Sequence, residues 1–292
     1  MAARRAFRAP RMRGRSFVVA CAVVLVFCGA LTAAFRGSLT DYNADPDALA
    51  ALPVRLNGRA VEPLLSESEF EAALQEMTDD GVEMDALDYL GLSSRAPTDL
   101  VERTPVVATG TFTGERRYVY QAFKCEVELT GVARGEGLAV GDIISVYERA
   151  WIWDGAESSL TGMGMFGSDR ELWWGDGRTP LREGQEYLFF LRPKQSSEGA
   201  GEKDQAYCVV NGLYGWIATD ASEHPERVCV PHVTERAEVL PDGSTATFYD
   251  TDTLPFSELA QYDFVAADEA SKEQHLANCK ALLDTALGER AS

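Results

Sequence analysis

The residue types that most often carry enzyme chemistry are sparse in this chain, and their spacings fit no catalytic motif. The three histidines, His224, His232 and His275, lack the H-E-x-x-H spacing of zinc hydrolases, so we predict no metal site. No complete G-x-S-x-G nucleophile motif is present. Adjacent acids are expected in a chain with 46 acidic residues, and paired carboxylates are therefore weak evidence for a glycosidase. We predict no catalytic residue and no cofactor.

One glycine spacing does match a ligand-binding motif. Gly162, Gly164 and Gly167 spell G-x-G-x-x-G, which binds dinucleotides when it lies between a strand and a helix. Here Gly175 and Gly177 soon interrupt the segment that would have to be that helix. We interpret the motif as a surface loop without a cofactor.

Large aromatic and sulfur-containing side chains are concentrated around this loop. Such side chains in a glycine-rich segment are typical of a binding surface. The alternative is that they cover one end of the domain as ordinary core. The candidate binding surface consists of Trp151, Trp153, Met163, Phe166, Trp173 and Trp174.

Four cysteines lie beyond the N-terminal apolar segment, an even number that suggests two disulfides in an oxidising compartment. Four cysteines allow three pairings. Our hypothesis joins Cys125, on an apolar strand face, to Cys279, on an apolar helix face, and Cys208 to Cys229. Free buried thiols are the alternative.

The middle of the chain shows the alternation of apolar and polar residues that is typical of short strands. Phe123, Cys125, Val127 and Leu129 alternate with polar residues, which predicts a half-buried strand, and the apolar run Glu186–Leu191 predicts a strand buried on both faces. Further strands are predicted at Val106–Thr113, Ile143–Tyr147, Tyr207–Val210, Leu213–Thr219 and Val228–Val233. Several short strands with glycine-rich turns favour a small closed barrel or a sandwich.

Helical patterns flank these strands. Ser66 and Glu69 have capping-box spacing, and Phe70, Ala73, Leu74 and Met77 follow at helical intervals. Near the C-terminus, Ser271 and Gln274 have the same capping spacing. The apolar face of this last predicted helix consists of Leu276, Cys279, Leu283 and Leu287.

The N-terminus has the pattern of a membrane anchor. Six arginines precede the apolar run Phe17–Phe35, whose 19 residues would span roughly 28 Å as a helix, close to the thickness of a bilayer core. Arginine-rich flanks stay in the cytoplasm, which places the remaining chain outside. A signal peptide cleaved after Thr32-Ala33-Ala34 is the alternative, and export follows in both cases.

Charge divides along the chain. Residues 1–40 hold seven arginines and no acid, which leaves 20 basic and 46 acidic side chains beyond, a formal charge of −26. A body of this charge repels nucleic acid, so we predict no nucleic-acid partner. The predicted segments are 1–15 (cytoplasmic), 16–35 (transmembrane anchor), 36–58 (stalk), 59–103 (helical), 104–235 (β-barrel) and 236–292 (loop and C-terminal helix).

Several of these segments resemble, in order, a widespread group of secreted or membrane-anchored bacterial proteins of uncharacterised function. The resemblance is carried by Thr98–Gly114, Lys124–Gly135, Leu138–Glu148 and Leu181–Leu191, and more weakly by Leu254–Leu287. It implies a mainly β fold with flanking helices (α+β), in which a small OB-like β-barrel precedes a C-terminal helix. The group has no assigned activity, so the resemblance implies a fold and not a function.

Together these features predict a membrane-anchored, extracytoplasmic binding or assembly module of the bacterial cell envelope, without catalytic activity. Its expected partners are the membrane, through the N-terminal helix, and an envelope protein or polymer. The alternative function is an extracytoplasmic hydrolase of an envelope polymer that uses unidentified carboxylates.

Overall fold

The structure, a computed structural model, describes residues 41–66, 68–69, 71–72, 75, 96–119, 122–154, 170–174, 177–194, 206–210, 212–239 and 244–288. The chain divides into two compact units, residues 1–45 and 46–292. Of the first unit only 41–45 are described, so the predicted anchor at 16–35 lies outside the described residues. In the described part of the chain, no helix has the length and apolar character needed to cross a membrane.

The second unit is mainly β with four described helices. In chain order its elements are α1 (Pro46–Ala50), β1 (Pro53–Arg55), α2 (Pro97–Arg103), β2 (Val106–Val119), β3 (Ala122–Arg134), β4 (Ile143–Asp154), β5 (Arg170–Trp174), β6 (Glu186–Pro193), β7 (Ala206–Val209), β8 (Trp216–Ala218), β9 (Val228–Cys229), β10 (Val233–Val239), β11 (Thr245–Thr251), β12 (Thr253–Pro255), α3 (Phe256–Leu259), β13 (Phe264–Val265) and α4 (Glu269–Gly288).

Five strands form a closed barrel. Their order is β4-β3-β2-β6-β7, with antiparallel neighbours, and β7 then pairs in parallel with β4 to complete the ring. The predicted alternation on β3 is confirmed, because Phe123, Cys125, Val127 and Leu129 are buried. Residues Tyr187–Leu191 of β6 are buried on both faces, as their apolar run predicts. Closure leaves these five strands without the exposed edges that an open sheet would have.

The second half of β4 leaves the barrel and enters another sheet. From Ala150 to Asp154 it pairs with β5, and β5 pairs with β1, which pairs with β12. Val54 of β1 is buried. The predicted stalk over 36–58 is therefore too long, since Pro53–Arg55 near its end form a strand of the second unit.

The hairpin of β10 and β11 was not predicted from the sequence. Its two strands pair from Val233↔Thr251 to Val239↔Thr245. It occupies part of the segment 236–292, which was predicted to be loop before the last helix. Its alternation of charged and small residues has no clear apolar face, so periodicity did not indicate a strand.

The capping box at Ser66 is confirmed. The Ser66 backbone N–H donates to the Glu69 carboxylate at 2.9 Å, and the Glu69 N–H donates to Ser66 Oγ at 3.4 Å. Described residues 68–69, 71–72 and 75 are helical. All four residues of the predicted apolar stripe lie outside the described residues: Phe70, Ala73, Leu74 and Met77.

The predicted start of the last helix is wrong by three residues. Helix α4 begins at Glu269, and Asp268 accepts the Ser271 backbone N–H at 2.7 Å. Asp268 is therefore the N-cap, which leaves Ser271 Oγ to accept the Val61 N–H at 3.3 Å.

The buried stripe of α4 is more polar than the predicted one. Leu276 and Leu287 are half-buried, whereas the buried residues are Ser271, His275, Asn278, Cys279, Leu282, Leu283 and Ala286. The burial of Asn278 is explained by its hydrogen bonds, because its Nδ2 donates to the Glu62 carbonyl at 2.8 Å and to the Tyr214 hydroxyl at 2.7 Å. An apolar pattern does not identify buried polar residues that are satisfied in this way.

Replacing Asp268 by alanine should lower the midpoint of urea denaturation, because the helix loses its N-cap. The change removes the acceptor for the Ser271 N–H and the acidic group at the positive end of the helix dipole. Urea denaturation of the full chain measures the effect. Glu273→Ala, at an exposed position of the same helix, is the control, and an equal loss there would contradict the assignment of the cap.

Candidate functional site

Two tryptophans stack on the outer face of the sheet where β4 and β5 pair. Trp151 lies opposite Trp173, with ring centroids 3.8 Å apart and ring planes 20° apart. Both side chains are half-buried. The Arg149 guanidinium lies 5.7 Å from the Trp151 ring centroid. This indole pair presents an aromatic surface beside a cation, which suits a ligand with planar or C–H-rich faces.

The remaining members of the predicted surface do not join this pair. Trp174 lies on the opposite face, is 6% exposed, and packs against Phe123 and Phe256 at 5.8 and 5.6 Å between centroids. Its assignment to the binding surface is corrected: it belongs to the core, because strand alternation turns it inward. The backbone of Trp153 pairs with Glu171. Met163 and Phe166 lie outside the described residues.

Beside the indole pair, one row of outward-facing residues crosses the barrel from strand to strand. Tyr147 lies at the centre of this row. Its side chain faces outward, because the neighbouring residues Val146 and Glu148 are buried. Successive strand registers give the row Arg117, Lys124, Tyr147, Cys208 and Arg192. The row itself contains three basic residues and no acidic one.

Two further cations adjoin this row. Lys194 Nζ lies 4.2 Å from the centroid of the Tyr147 ring, and Arg149 is two residues along β4 from Tyr147. We call the five cations, Arg117, Lys124, Arg149, Arg192 and Lys194, the basic belt. The sequence did not indicate it, because its members come from four separated segments and meet only through strand pairing.

Inside the barrel, a buried ion pair is held by hydrogen bonds. Glu148 is fully buried and accepts the Leu181 N–H at 2.8 Å, while Arg116 Nε lies 3.3 Å from its carboxylate. Arg116 also donates to the Leu181 carbonyl at 2.6 Å and lies 4.7 Å from the centre of the Phe112 ring. These contacts satisfy both charges and close the site to solvent, so we assign the pair a structural role.

The buried thiols are poor nucleophiles. Burial raises the pKa of Cys125 well above that of a free thiol, and the Glu148 carboxylate raises it further. Burial likewise raises the pKa of Cys279. A reactive cysteine needs a lowered pKa and access to solvent, and both residues have the opposite properties.

His275 packs beside Cys279 but does not activate it. Their Nε2 and Sγ atoms lie 3.3 Å apart, and the imidazole stacks on Phe264 with centroids 3.8 Å apart. Burial lowers the pKa of His275 to about 3, so the ring is neutral at ordinary pH. A neutral imidazole and a protonated thiol in the core do not form a thiolate–imidazolium pair.

Neither hypothesised disulfide is present in the structure. Cys125, Cys208, Cys229 and Cys279 are all free thiols. Cys125 faces Arg116 and Glu148 inside the barrel, whereas Cys279 contacts His275 on α4. Both lie on apolar faces, as predicted, but these faces enclose different parts of the core.

Two cavities lined by described residues are each too small for an envelope polymer. One is lined in part by Arg178, His275 and Cys279, and another by Val54 and Trp174; each has a volume of about 10 Å³. That is room for about one water molecule, whereas ligand pockets measure several hundred Å³. These two cavities give no support to a hydrolase.

A buried carboxylate borders the first cavity. Asp263 receives a hydrogen bond from Arg182 at 2.7 Å and lies 3.8 Å from Arg227, which also binds Asp220 at 2.9 Å. Burial raises the pKa of Asp263 despite the two guanidinium groups. Arg182 lies in the turn before β6 and Arg227 directly before β9, and both contact Asp263 beside β13. The ion pairs therefore connect separate elements of the fold. Among the described residues, no group of three potential ligands is arranged to hold a metal ion.

Fold and site together define a class: a mainly β protein with a closed five-stranded barrel and a few helices, whose outer surface carries an indole pair and a basic row. Comparisons with protein-family models, curated proteins and solved structures find no match for the chain.

Proposed function

We propose that the protein is a membrane-anchored, extracytoplasmic binding or assembly module of the bacterial envelope, built on an OB-like barrel, and that it has no catalytic role. The observation that carries this proposal is the half-buried Trp151–Trp173 stack on the outer face of β4 and β5. Stacked indoles that contact solvent are typical of binding surfaces.

Three further features support a binding role over a catalytic one. The buried thiols have raised pKa values, the only strongly buried ion pair described in the barrel is fully satisfied, and the two small cavities hold about one water each. The anchor and the export route rest on the arginine-flanked apolar run at the N-terminus.

A topology reporter tests the compartment. Alkaline phosphatase fused after Ser292 should be active in a bacterial host, because that enzyme requires the oxidising space outside the cytoplasm. A fluorescent protein that folds only in the cytosol should stay dark at the same position. Bright fluorescence would overturn the extracytoplasmic assignment.

The indole pair should dominate binding to the envelope. We expect the full chain to sediment with purified cell-wall sacculi, and the double variant Trp151→Ala/Trp173→Ala to bind roughly tenfold more weakly, since two aromatic contacts are lost. Val140→Ala, at a position 68% exposed, is the control. Sedimentation equal to that of the wild type would contradict the binding surface, provided that circular dichroism confirms folding. Release of soluble sugar fragments would instead favour the hydrolase.

A further inference from the structure

We infer that the envelope ligand is an anionic glycopolymer, a chain of sugars that carries carboxylate or phosphate groups, and that it lies across the basic belt and the indole pair. This inference rests on the proposed function and specifies its ligand. It follows from the position, dimensions and chemistry of the two neighbouring features.

The belt is a local exception to the charge of the body. Beyond residue 40 the chain has 20 basic and 46 acidic residues, yet five of those 20 lie on or beside one row of the outer barrel surface. Arg117, Arg149, Arg192 and Lys194 are exposed. Because salt screens charges beyond about 8–10 Å, a ligand on this face experiences mainly the belt and its close neighbours.

The surface has the dimensions of an extended polymer segment. Arg117 and Arg192 are separated by four strand spacings of about 4.8 Å, or roughly 19 Å along the barrel surface. Tyr147 and Trp151 are four residues apart on β4, which adds roughly 13 Å in the perpendicular direction. Several sugar units would fit on such an area.

The residue types match acidic sugars. Tryptophan and tyrosine rings can stack on the C–H faces of pyranose rings, while arginine and lysine bind carboxylate or phosphate oxygens. The face interleaves both types: Lys194 covers Tyr147, and Arg149 lies beside Trp151. A neutral glycan would form no ion pair with the exposed Arg117, Arg149, Arg192 and Lys194. A simple anion would not contact the indoles.

Two other anionic macromolecules fit the chemistry less well. A membrane of acidic lipids is an extended plane, so it would also approach the strongly acidic remainder of the body and be repelled. A single nucleic-acid strand would fit the face, but the predicted compartment lies outside the cytoplasm. A flexible acidic glycan can contact the basic belt without approaching the acidic remainder of the body, and such polymers are available at the envelope.

The acidic row beside the belt limits where the ligand can lie. On β3, Glu126 and Glu128 follow Lys124 on the same face, and they pair with Ser145 and Ile143 of β4. Both glutamates are exposed. The ligand should therefore run from the belt toward Trp151 and Trp173, and not toward Ile143.

The test is a titration of the full chain in detergent micelles with polygalacturonate, a polymer of acidic sugars, and with its fully methyl-esterified form, which has the same backbone without charge. We expect polygalacturonate to bind and the ester to bind at least tenfold more weakly. Arg117→Gln/Arg192→Gln should weaken the binding of polygalacturonate roughly threefold to thirtyfold, as expected for two exposed ion pairs. Affinity should fall as salt rises.

Controls separate the sources of binding. Arg134→Gln removes an exposed arginine from the far end of β3 and should have no effect. If the ester or poly-glutamate binds as tightly as polygalacturonate, an acidic glycan is not the ligand. If oligo(dT) or acidic lipid vesicles bind more tightly than polygalacturonate, a nucleic acid or a membrane replaces the glycan as the ligand. If polygalacturonate fails while the tryptophan-dependent binding to sacculi holds, this inference falls and the proposed function stands.

Discussion

Replacement of Glu148 by leucine should lower the free energy of unfolding by about 3–5 kcal/mol, the usual cost of removing one partner from a buried ion pair. The variant leaves the Arg116 charge in the barrel without its carboxylate and removes the acceptor of the Leu181 N–H. An unpaired buried charge costs much more than the lost attraction alone, because the group remains desolvated. Guanidinium denaturation of the full chain measures the loss.

A matched variant and a double variant test the cause. Arg55 and Glu171 form an exposed pair at 3.3 Å, so Glu171→Gln should cost less than about 1 kcal/mol. Arg116→Met/Glu148→Leu removes both charges and should recover a large part of the stability lost in the single variant. If the double variant is no more stable than Glu148→Leu, the unpaired charge is not the source of the effect.

His275 should make the fold sensitive to acid. Its pKa is lowered to about 3 by burial, whereas an unfolded histidine titrates near 6.5. Between these values the unfolded chain binds a proton that the native protein excludes, so the stability present above pH 6.5 is lost as pH falls toward 3. The histidine contribution to this loss is roughly 4 kcal/mol over the whole range.

The measurement is the pH dependence of stability for the wild type and for His275→Gln. Near pH 5, unfolding of the wild type should take up about one more proton than unfolding of the variant. His232→Gln, which removes an exposed histidine, is the control and should keep the wild-type slope. In case the variant folds poorly, NMR of the wild type gives a second test: titration of the His275 ring above pH 5 would contradict a buried neutral imidazole.

Local patterns in the sequence were sufficient for the barrel strands. The alternation at Phe123–Leu129 and the apolar run at Tyr187–Leu191 identify β3 and β6, because burial on one or both faces leaves a direct signal in residue type. Glycine-rich turns were also predicted between the strands, and Gly141 and Gly184 have φ of +90° and +73° there. The predicted β2 and β4 are too short, because β2 continues into the polar residues after Thr113 and β4 continues beyond the charged pair Glu148 and Arg149.

The site was harder to predict for two physical reasons. First, the sequence shows that aromatic residues are close along the chain, but it does not show which face of a strand each one occupies. Trp173 and Trp174 were therefore assigned to one surface, although Trp173 lies on the outer face and Trp174 in the core. Second, the basic belt depends on register: Arg117 and Arg192 are 75 positions apart and share a row only through three intervening strands. Net charge averages over the chain and therefore conceals such a row.

The buried polar residues of α4 illustrate a third limit. His275 and Asn278 appear in sequence as positions that would favour solvent, yet both are inside. Their burial depends on partners far along the chain, such as Glu62 and Tyr214 for Asn278. No local pattern contains that information.

The hydrogen bonds between residues 61–64 and α4 also determine how the ends of the compact unit behave. Val61 N–H donates to Ser271 and Leu64 N–H to Asn278, so a segment shortly after β1 is tied to the last described helix of this unit. Chain ends are usually the first parts of a fold to fray. Residues 61–64 and α4 cannot separate without losing these bonds, so we expect opening of one segment to weaken the other.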